Sequence, residues 1–261
     1  MLGEANNYDW FKKKVYELTG IDLNNYRPKQ MERRINSLME RVGARDYREY
    51  QTLLAKRQEH YQQFLNHITI NVSEFFRNPE RFKELETKIL PELLRENPRL
   101  KVWSAACSYG AEPYTLAMIL EKAVPNKSHR ILATDIDKQM LEKAAIGRYT
   151  ANDVKNIERI LLDKYFTQEG NNYLLADQIK KKVEFKHHDL LRDPYEKGFD
   201  LIVCRNVVIY FTDDAKDKLY RQFYQSLRKG GYLFVGGTER IHNYRDIGYE
   251  NVYPFFYKKL D

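Results

Sequence analysis

From Leu100 onward, short apolar runs alternate with amphipathic stretches, and this alternation constrains the fold more than any other feature of the chain. Lys101–Ala106, Arg130–Thr134, Lys182–Lys186, Phe199–Cys204 and Gly231–Val235 read as strands. Between them Glu112–Lys122, Lys138–Ala145 and Asp213–Leu227 carry helical periodicity. Strands that alternate with helices close into a doubly wound, mostly parallel sheet of Rossmann-like α/β type. Asn251–Lys258, aromatic and holding Pro254, is expected as one late strand, antiparallel and at or near an edge.

The first 75 residues carry helical signals only. Phe11, Val15 and Leu18 recur at helical spacing, and Gly20 stands where a C-terminal cap belongs. Pro28 opens a second helix with an apolar stripe of Met31, Ile35, Leu38 and Val42, which Gly43 ends. Asp46 is the expected N-cap of a third, and Tyr61, Phe64, Leu65 and Ile68 mark a fourth. Asn78-Pro79 starts a connecting helix, which Pro91 is expected to break or restart. The segment 147–179 is too long for a plain connection and is read as an inserted subdomain with one helix and a hairpin around Glu169-Gly170-Asn171. The expected organisation is therefore a small all-α domain at 1–75, a helical linker at 76–99, and an α/β domain at 100–261 carrying the insertion.

Composition narrows the class of function. At 43% hydrophobic and 31% charged, the chain is globular rather than disordered. No apolar run approaches the roughly 20 residues of a membrane span, and the N-terminus lacks a secretory pattern. The two cysteines, Cys107 and Cys204, lie far apart in strand-like contexts, which argues against a disulfide scaffold or zinc site and fits the cytoplasm. The net charge of +7 favours an acidic partner, whether nucleic acid, anionic membrane or protein.

Four features fall where open α/β sheets bind ligands, at the C-terminal ends of strands. The turn Ala106–Glu112 is rich in small residues but lacks the full G-x-G-x-x-G of a pyrophosphate cradle, which disfavours NAD and FAD while leaving a phosphate-free nucleoside open. Asp135 lies about 25 positions after Gly110, where an acid can take both ribose hydroxyls, with Asp137 a rival for that role or for a helix cap. Asp189-Leu190 can read an adenine edge, or can be an ordinary solvated loop. The strand Phe199–Cys204 runs into Arg205-Asn206, with Tyr210 beyond; polar groups at the end of a buried strand require partners.

Asn71-Val72-Ser73-Glu74-Phe75-Phe76-Arg77 resembles the N-x-T-x-F-F-R signature of the CheR family of chemotaxis receptor methyltransferases, with Ser73 in place of the usual Thr. Trp103–Tyr114, Cys204–Phe211 and Gly236-Gly237-Thr238-Glu239 resemble that family's other signatures. The resemblance covers essentially the whole chain. It implies a class I methyltransferase that takes S-adenosylmethionine, releases S-adenosylhomocysteine, and esterifies glutamates on the cytoplasmic helical domain of transmembrane chemoreceptors. It further implies that Asn71, Ser73 and Arg77 approach the methionine end of the cofactor or the reactive centre. Glu112 would bind the amino group, Asp135 the ribose, and Asp189 with Leu190 the adenine. Arg205 and Asn206 would line the pocket near the sulfonium, and Tyr210 would face the substrate.

The chemistry fits what the sequence contains. A glutamate carboxylate with a pKa of about 4.3 is already ionised at neutral pH and needs no general base. Accordingly, no Ser/His/Asp or Cys/His arrangement is evident. His187-His188 has no third ligand nearby in sequence, so no metal is expected. Either Arg77 or Arg205 can orient a substrate carboxylate by its bidentate match, with Tyr210 helping to set the attack line. Arg33, Arg34 and Arg41, with Lys29 and Arg45 at the flanks, lie off the apolar stripe of the second helix and form a candidate docking surface for an acidic receptor; the inserted segment is another. A nucleic-acid methyltransferase is the rival enzyme reading, but the fourth strand lacks the Asn/Asp-Pro-Pro-Tyr/Phe pattern and no Pro-Cys dipeptide occurs. A non-catalytic cofactor-sensing adaptor is the rival outside enzymes. No nucleic acid, no membrane insertion and a monomer are expected.

Overall fold

A computed structural model describes residues 7–69 and 73–261, and by compactness the chain divides into two units. One comprises residues 1–71 together with Val208–Lys218; the other comprises Val72–Val207 and Leu219–Asp261. This division differs from the expected one, because 208–218 joins the helical unit although it follows directly on a strand of the sheet.

The helical unit is built on the signals its sequence carries. Asn7 caps the helix Tyr8–Thr19, and Gly20 ends it in the left-handed region at φ 77°. The helix Pro28–Val42 starts on its proline and ends on Gly43 at φ 73°. Asp46 accepts from Glu49 N–H at 2.8 Å to start Tyr47–Lys56, and Gln58–Thr69 follows. Phe11, Ile35, Tyr50 and Phe64, each at most 1% exposed, share the core, with Phe11 stacked on Tyr50 and edge-on to Phe64. The segment 208–218 is tied in by Arg27 N–H donating to Tyr210 O, Thr212 N–H donating to Asn25 O, and Phe211 packing edge-on to Tyr26.

The second unit holds a seven-stranded sheet and a three-stranded one. In chain order the strands are β1 Lys101–Ala105, β2 Arg130–Asp135, β3 Arg148–Thr150, β4 Phe166–Glu169, β5 Asn172–Leu175, β6 Val183–His187, β7 Phe199–Cys204, β8 Leu227–Val235, β9 Tyr249–Tyr253 and β10 Phe256–Lys259. The large sheet runs β6-β2-β1-β7-β8-β10-β9, parallel from β6 to β8, with β10 and β9 antiparallel. Crossing from β2–β6 on one side of β1 to β7–β8 on the other creates the switch point at which such sheets bind ligands.

The single late strand expected at 251–258 is in fact a hairpin. Pro254 cannot donate to a ladder, and Phe255 takes φ 71°, so the chain reverses there; β10 is inserted between β8 and the edge strand β9. The insertion β3-β5-β4 forms its own sheet around the expected turn at Gly170, but it carries the helices Ala151–Val154 and Arg159–Tyr165 where one was expected. The linker helix runs Pro79–Glu84, continues as a π-helical turn Leu85–Ile89, and resumes as Leu90–Glu96. The widened turn accommodates Pro91, which has no N–H to offer, without breaking the helix.

At the N-terminal end of the sheet, away from the switch point, Asp200 is 1% exposed. Its carboxylate accepts from Lys101 N–H and Arg228 Nε–H, each at 2.6 Å, and from Asn97 Nδ2–H at 3.3 Å, joining β1, β7, β8 and the linker. Removing this carboxylate takes away the acceptor of Lys101 N–H and one of the two acids that Arg228 pairs with, Glu96 being the other. Asp200→Ala is expected to cost about 3 kcal/mol of stability, read as a lower urea midpoint at unchanged slope, with cofactor affinity unaltered.

Candidate functional site

The C-terminal ends of β1 and β7 carry strained backbone. Among the described residues seven non-glycines take positive φ, and five of them stand here or on the linker beside it: Phe76, Asn78, Ala106, Ser108 and Asn206. Such conformations persist only where surrounding contacts over-determine them, and they concentrate at ligand sites. Gly110, at φ 89°, admits no larger residue: a Cβ would lie 2.8 Å from that of Ala144.

Each loop is held by a buried acid. Asp135, at the end of β2, accepts from Ser108 N–H at 2.7 Å and Asp137 N–H at 2.9 Å, so it fixes the β1 loop as well as its own. Burial pushes its carboxyl up to about 6. Its rival Asp137 is used as a helix cap, accepting from Gln139 and Met140 N–H. Glu112, in the first turn of the helix Ala111–Ala123, accepts from Ser104 Oγ–H at 2.8 Å and lies 3.8 Å from Arg205 Nη1. Burial raises its pKa, opposed by the positive charge of Arg205. Asp189 accepts from Leu191 N–H at 2.8 Å, its pKa raised by burial, while the carbonyl of the buried Leu190 takes the Tyr195 hydroxyl.

Arg205 is a structural tie. Its side chain is 2% exposed and lies between the rings of Phe82 and Phe234, at 5.0 and 4.8 Å. Nη2 donates to Arg77 O and Asn78 Oδ1, each at 2.8 Å. Through Nη2 the guanidinium fixes the linker against the end of β7, while its buried Nε has no hydrogen-bond partner. Arg77, the other arginine the sequence offers for orienting a carboxylate, is half-buried and near enough for its charge to act on Glu112 and Arg205.

The linker signature is gripped from the inserted subdomain. Phe75, fully buried, meets Tyr149 of β3 and Phe166 of β4 edge-on at 4.7 and 5.3 Å. Phe75 N–H donates to Asp153 O, Phe76 N–H to Thr115 Oγ1, and the Tyr109 hydroxyl to Ser73 O and Asp153 Oδ1. Asn71 lies outside the described residues. Tyr210 belongs to the helical unit, and Arg34, half-buried and donating to His67 O, interacts electrostatically with it there. Arg33 and Arg41 are exposed.

Sequence reasoning assigned no part to Ser104, Tyr109, Asp153 or Glu239. Glu239 is 3% exposed, and its carboxylate accepts from the backbone N–H groups of Asn206, Val207 and Gly236 at 2.6, 2.8 and 2.8 Å. Only its place in the Gly-Gly-Thr-Glu tract marked it out. Among the described residues no group of three or more His, Cys, Asp or Glu side chains could hold a metal.

Two acceptors in this cluster have capacity to spare. Asn206 Oδ1 is buried without a hydrogen-bond partner, and the Glu112–Arg205 separation exceeds the roughly 2.8 Å of a charge-assisted hydrogen bond. A buried carboxylate and a buried amide oxygen suit a small cation such as an ammonium, and the acid ending β2 suits a ribose; together they fit an amino-acid nucleoside. Arg205→Ala would leave Glu112 buried beside fewer positive charges and untie the linker. It is expected to cost about 3 kcal/mol in chemical denaturation, and Arg205→Lys, which cannot reproduce the planar fork between two rings, should recover little of that.

The comparisons agree with this chemistry. A family model described as the SAM binding domain of CheR methyltransferase matches residues 71–252, and one described as its all-alpha domain matches 6–69. A chemotaxis protein methyltransferase of Listeria monocytogenes is 43% identical over 254 residues, covering 97% of this chain and 97% of its own. That of Listeria innocua is 42% identical with the same coverage, and that of Borreliella burgdorferi is 35% identical over 261 residues, covering 95% and 92%. With both family models matched in order along nearly its whole length, the chain belongs to the CheR family of S-adenosylmethionine-dependent chemotaxis methyltransferases.

Proposed function

We propose that the enzyme methylates glutamate side chains of chemoreceptors, forming glutamyl methyl esters that adjust receptor sensitivity. The observation that supports this reading is the arrangement around Glu112: a buried acid for a cation, with Arg205 beside it at 3.8 Å and the charge of Arg77 also acting on it. When bound, S-adenosylmethionine supplies an electrophilic methyl group on a sulfonium that leaves as a neutral thioether. Glu112 and Asn206 hold the amino group, Asp135 the ribose, and Asp189 with Leu190 the adenine. Arg77 orients the substrate carboxylate, which is ionised at neutral pH and gives up no proton, so no residue acts as a base. The task left to the protein is alignment and exclusion of water.

The helix Pro28–Val42 is the proposed docking surface. Lys29, Arg33 and Arg41 are exposed at helical spacing on it, beside Glu32 and Glu40, a mixed face suited to an acidic helix with some basic positions. Arg34 contributes from within, anchoring the end of the neighbouring helix through His67 O. A cytoplasmic receptor domain is the partner this implies, and no helix among the described residues is long and apolar enough to cross a membrane.

The decisive assay incubates the enzyme with methyl-labelled S-adenosylmethionine and chemoreceptor-containing membranes. Label on receptor that mild alkali releases as volatile methanol is expected; alkali-stable label, or none, would remove the glutamate reading while leaving the cofactor in place. Cofactor binding should also depend on pH. Ribose hydroxyls donate to the ionised form of Asp135, whose carboxyl stands at about 6 in the free enzyme. S-adenosylhomocysteine affinity is therefore level above that pH and falls below it, by at most about tenfold per unit from this one group. Glu112, raised by burial in the same direction, adds to the slope. The diagnostic is the difference by calorimetry: Asp135→Asn should bind more weakly and lose the Asp135 part of the slope, and an unchanged slope would free Asp135 of the ribose.

A further inference from the structure

Glu239 has no part in the assignments above, yet it is the most highly coordinated carboxylate at the end of β7. It lies four residues beyond β8, after a turn closed by Glu239 N–H donating to Gly236 O at 3.0 Å. Its Oε2 gathers Asn206 N–H and Gly236 N–H while Oε1 takes Val207 N–H. Hydrogen bonds to an ionised acceptor are the stronger kind, and three of them converge here on one buried group. They hold Asn206 at φ 62°, a conformation that puts its side-chain oxygen in a buried position without a partner. Gly236 is the complement of this arrangement. A Cβ there would lie 2.4 Å from Glu239 Oε2 and 2.9 Å from Asn206 N, so the glycine exists to let the carboxylate reach across.

We infer that Glu239 is a positioning residue for the cofactor: by clamping the backbone of Asn206 and Val207 from β8, it sets the Asn206 amide oxygen where it receives the amino group. The inference rests on the reading that Asn206 lines the cofactor pocket. Glu239 touches no reacting atom and acts through the loop it holds. It is distinct from Arg205, which ties the same strand end to the linker with its side chain. Glu239 works instead on the two peptide units that follow.

The test measures S-adenosylhomocysteine affinity by calorimetry well below the melting temperature, alongside thermal melts, for wild type, Glu239→Gln and Gly236→Ala. Glutamine keeps the size of the side chain but turns one oxygen into an N–H donor, so at least one backbone N–H then faces a donor. Alanine at 236 keeps the charge and displaces the carboxylate. Both variants are expected to bind about tenfold or more weakly while remaining folded at the assay temperature, with KM for S-adenosylmethionine rising more than kcat falls. A lower melting temperature with wild-type affinity in both variants would make Glu239 a structural residue and overturn the proposal, as would loss of folding in both. If one variant fails to fold, the other decides by its affinity. Absence of binding by the wild type would sink the pocket reading, and the proposal with it.

Discussion

The contact on which the site depends is the buried guanidinium of Arg205. It stands where the linker, the first turn of Ala111–Ala123 and the end of β7 converge, hydrogen-bonded to Arg77 O and Asn78 Oδ1 and 3.8 Å from Glu112. Burying such a cation is costly unless it is paired and hydrogen-bonded. The rings of Phe82 and Phe234 on its faces and Glu112 at its edge together make burial tolerable. In return the linker, which has no strand ladder of its own, acquires a fixed position against the sheet.

The inserted subdomain completes that fixation from the other side. Tyr149 and Phe166 close on Phe75, and Asp153 serves three purposes at once: it caps its own helix with Thr150, accepts Phe75 N–H on its carbonyl, and receives the Tyr109 hydroxyl. The insertion is thus part of the site's scaffold as well as a candidate docking module. The turn after β1, the linker signature and the insertion are one hydrogen-bonded assembly. This explains how residues such as Phe76 and Asn78 are kept at positive φ.

Much of this architecture was legible because local rules and tertiary structure agree. Gly20, Gly43 and Asp46 terminate or start helices as their chemistry requires, and the parallel core strands are continuous apolar runs. What was not legible depended on long-range partners. Arg205 reads in sequence as a free cation near a reactive centre; only its contacts, 127 and 128 residues away along the chain, reveal that it is spoken for. Val208–Lys218 continues a sheet strand in sequence yet belongs with the helical unit through Arg27 and Asn25. The hairpin at 249–259 reads in sequence as one aromatic edge strand, because an edge tolerates Pro254 and the positive φ of Phe255 that completes the reversal leaves no signature of its own. Glu239 sat in a recognisable tract without a role, since an acid that binds only backbone leaves no side-chain pattern to pair it with.

The charges at the site also resolve a conflict set by the proposed reaction. An anion is needed to hold the cofactor's ammonium, but an uncompensated anion would repel a carboxylate substrate. Two unit charges 4 Å apart interact by about 4 kcal/mol at an effective dielectric of 20, enough to weaken substrate approach severely. Arg205 lies between these demands: at 3.8 Å from Glu112 it offsets the acid's field, yet it is too far to saturate the acid's hydrogen bonding. Glu239 is held by three backbone N–H groups, and its charge acts on Glu112 and Arg205 as well. Arg77, the arginine proposed to meet the incoming carboxylate, stands on the linker that Arg205 holds through Arg77 O. In the proposed reaction, cofactor affinity and substrate orientation would thus both depend on one buried side chain, which contacts Glu112 and the linker at once.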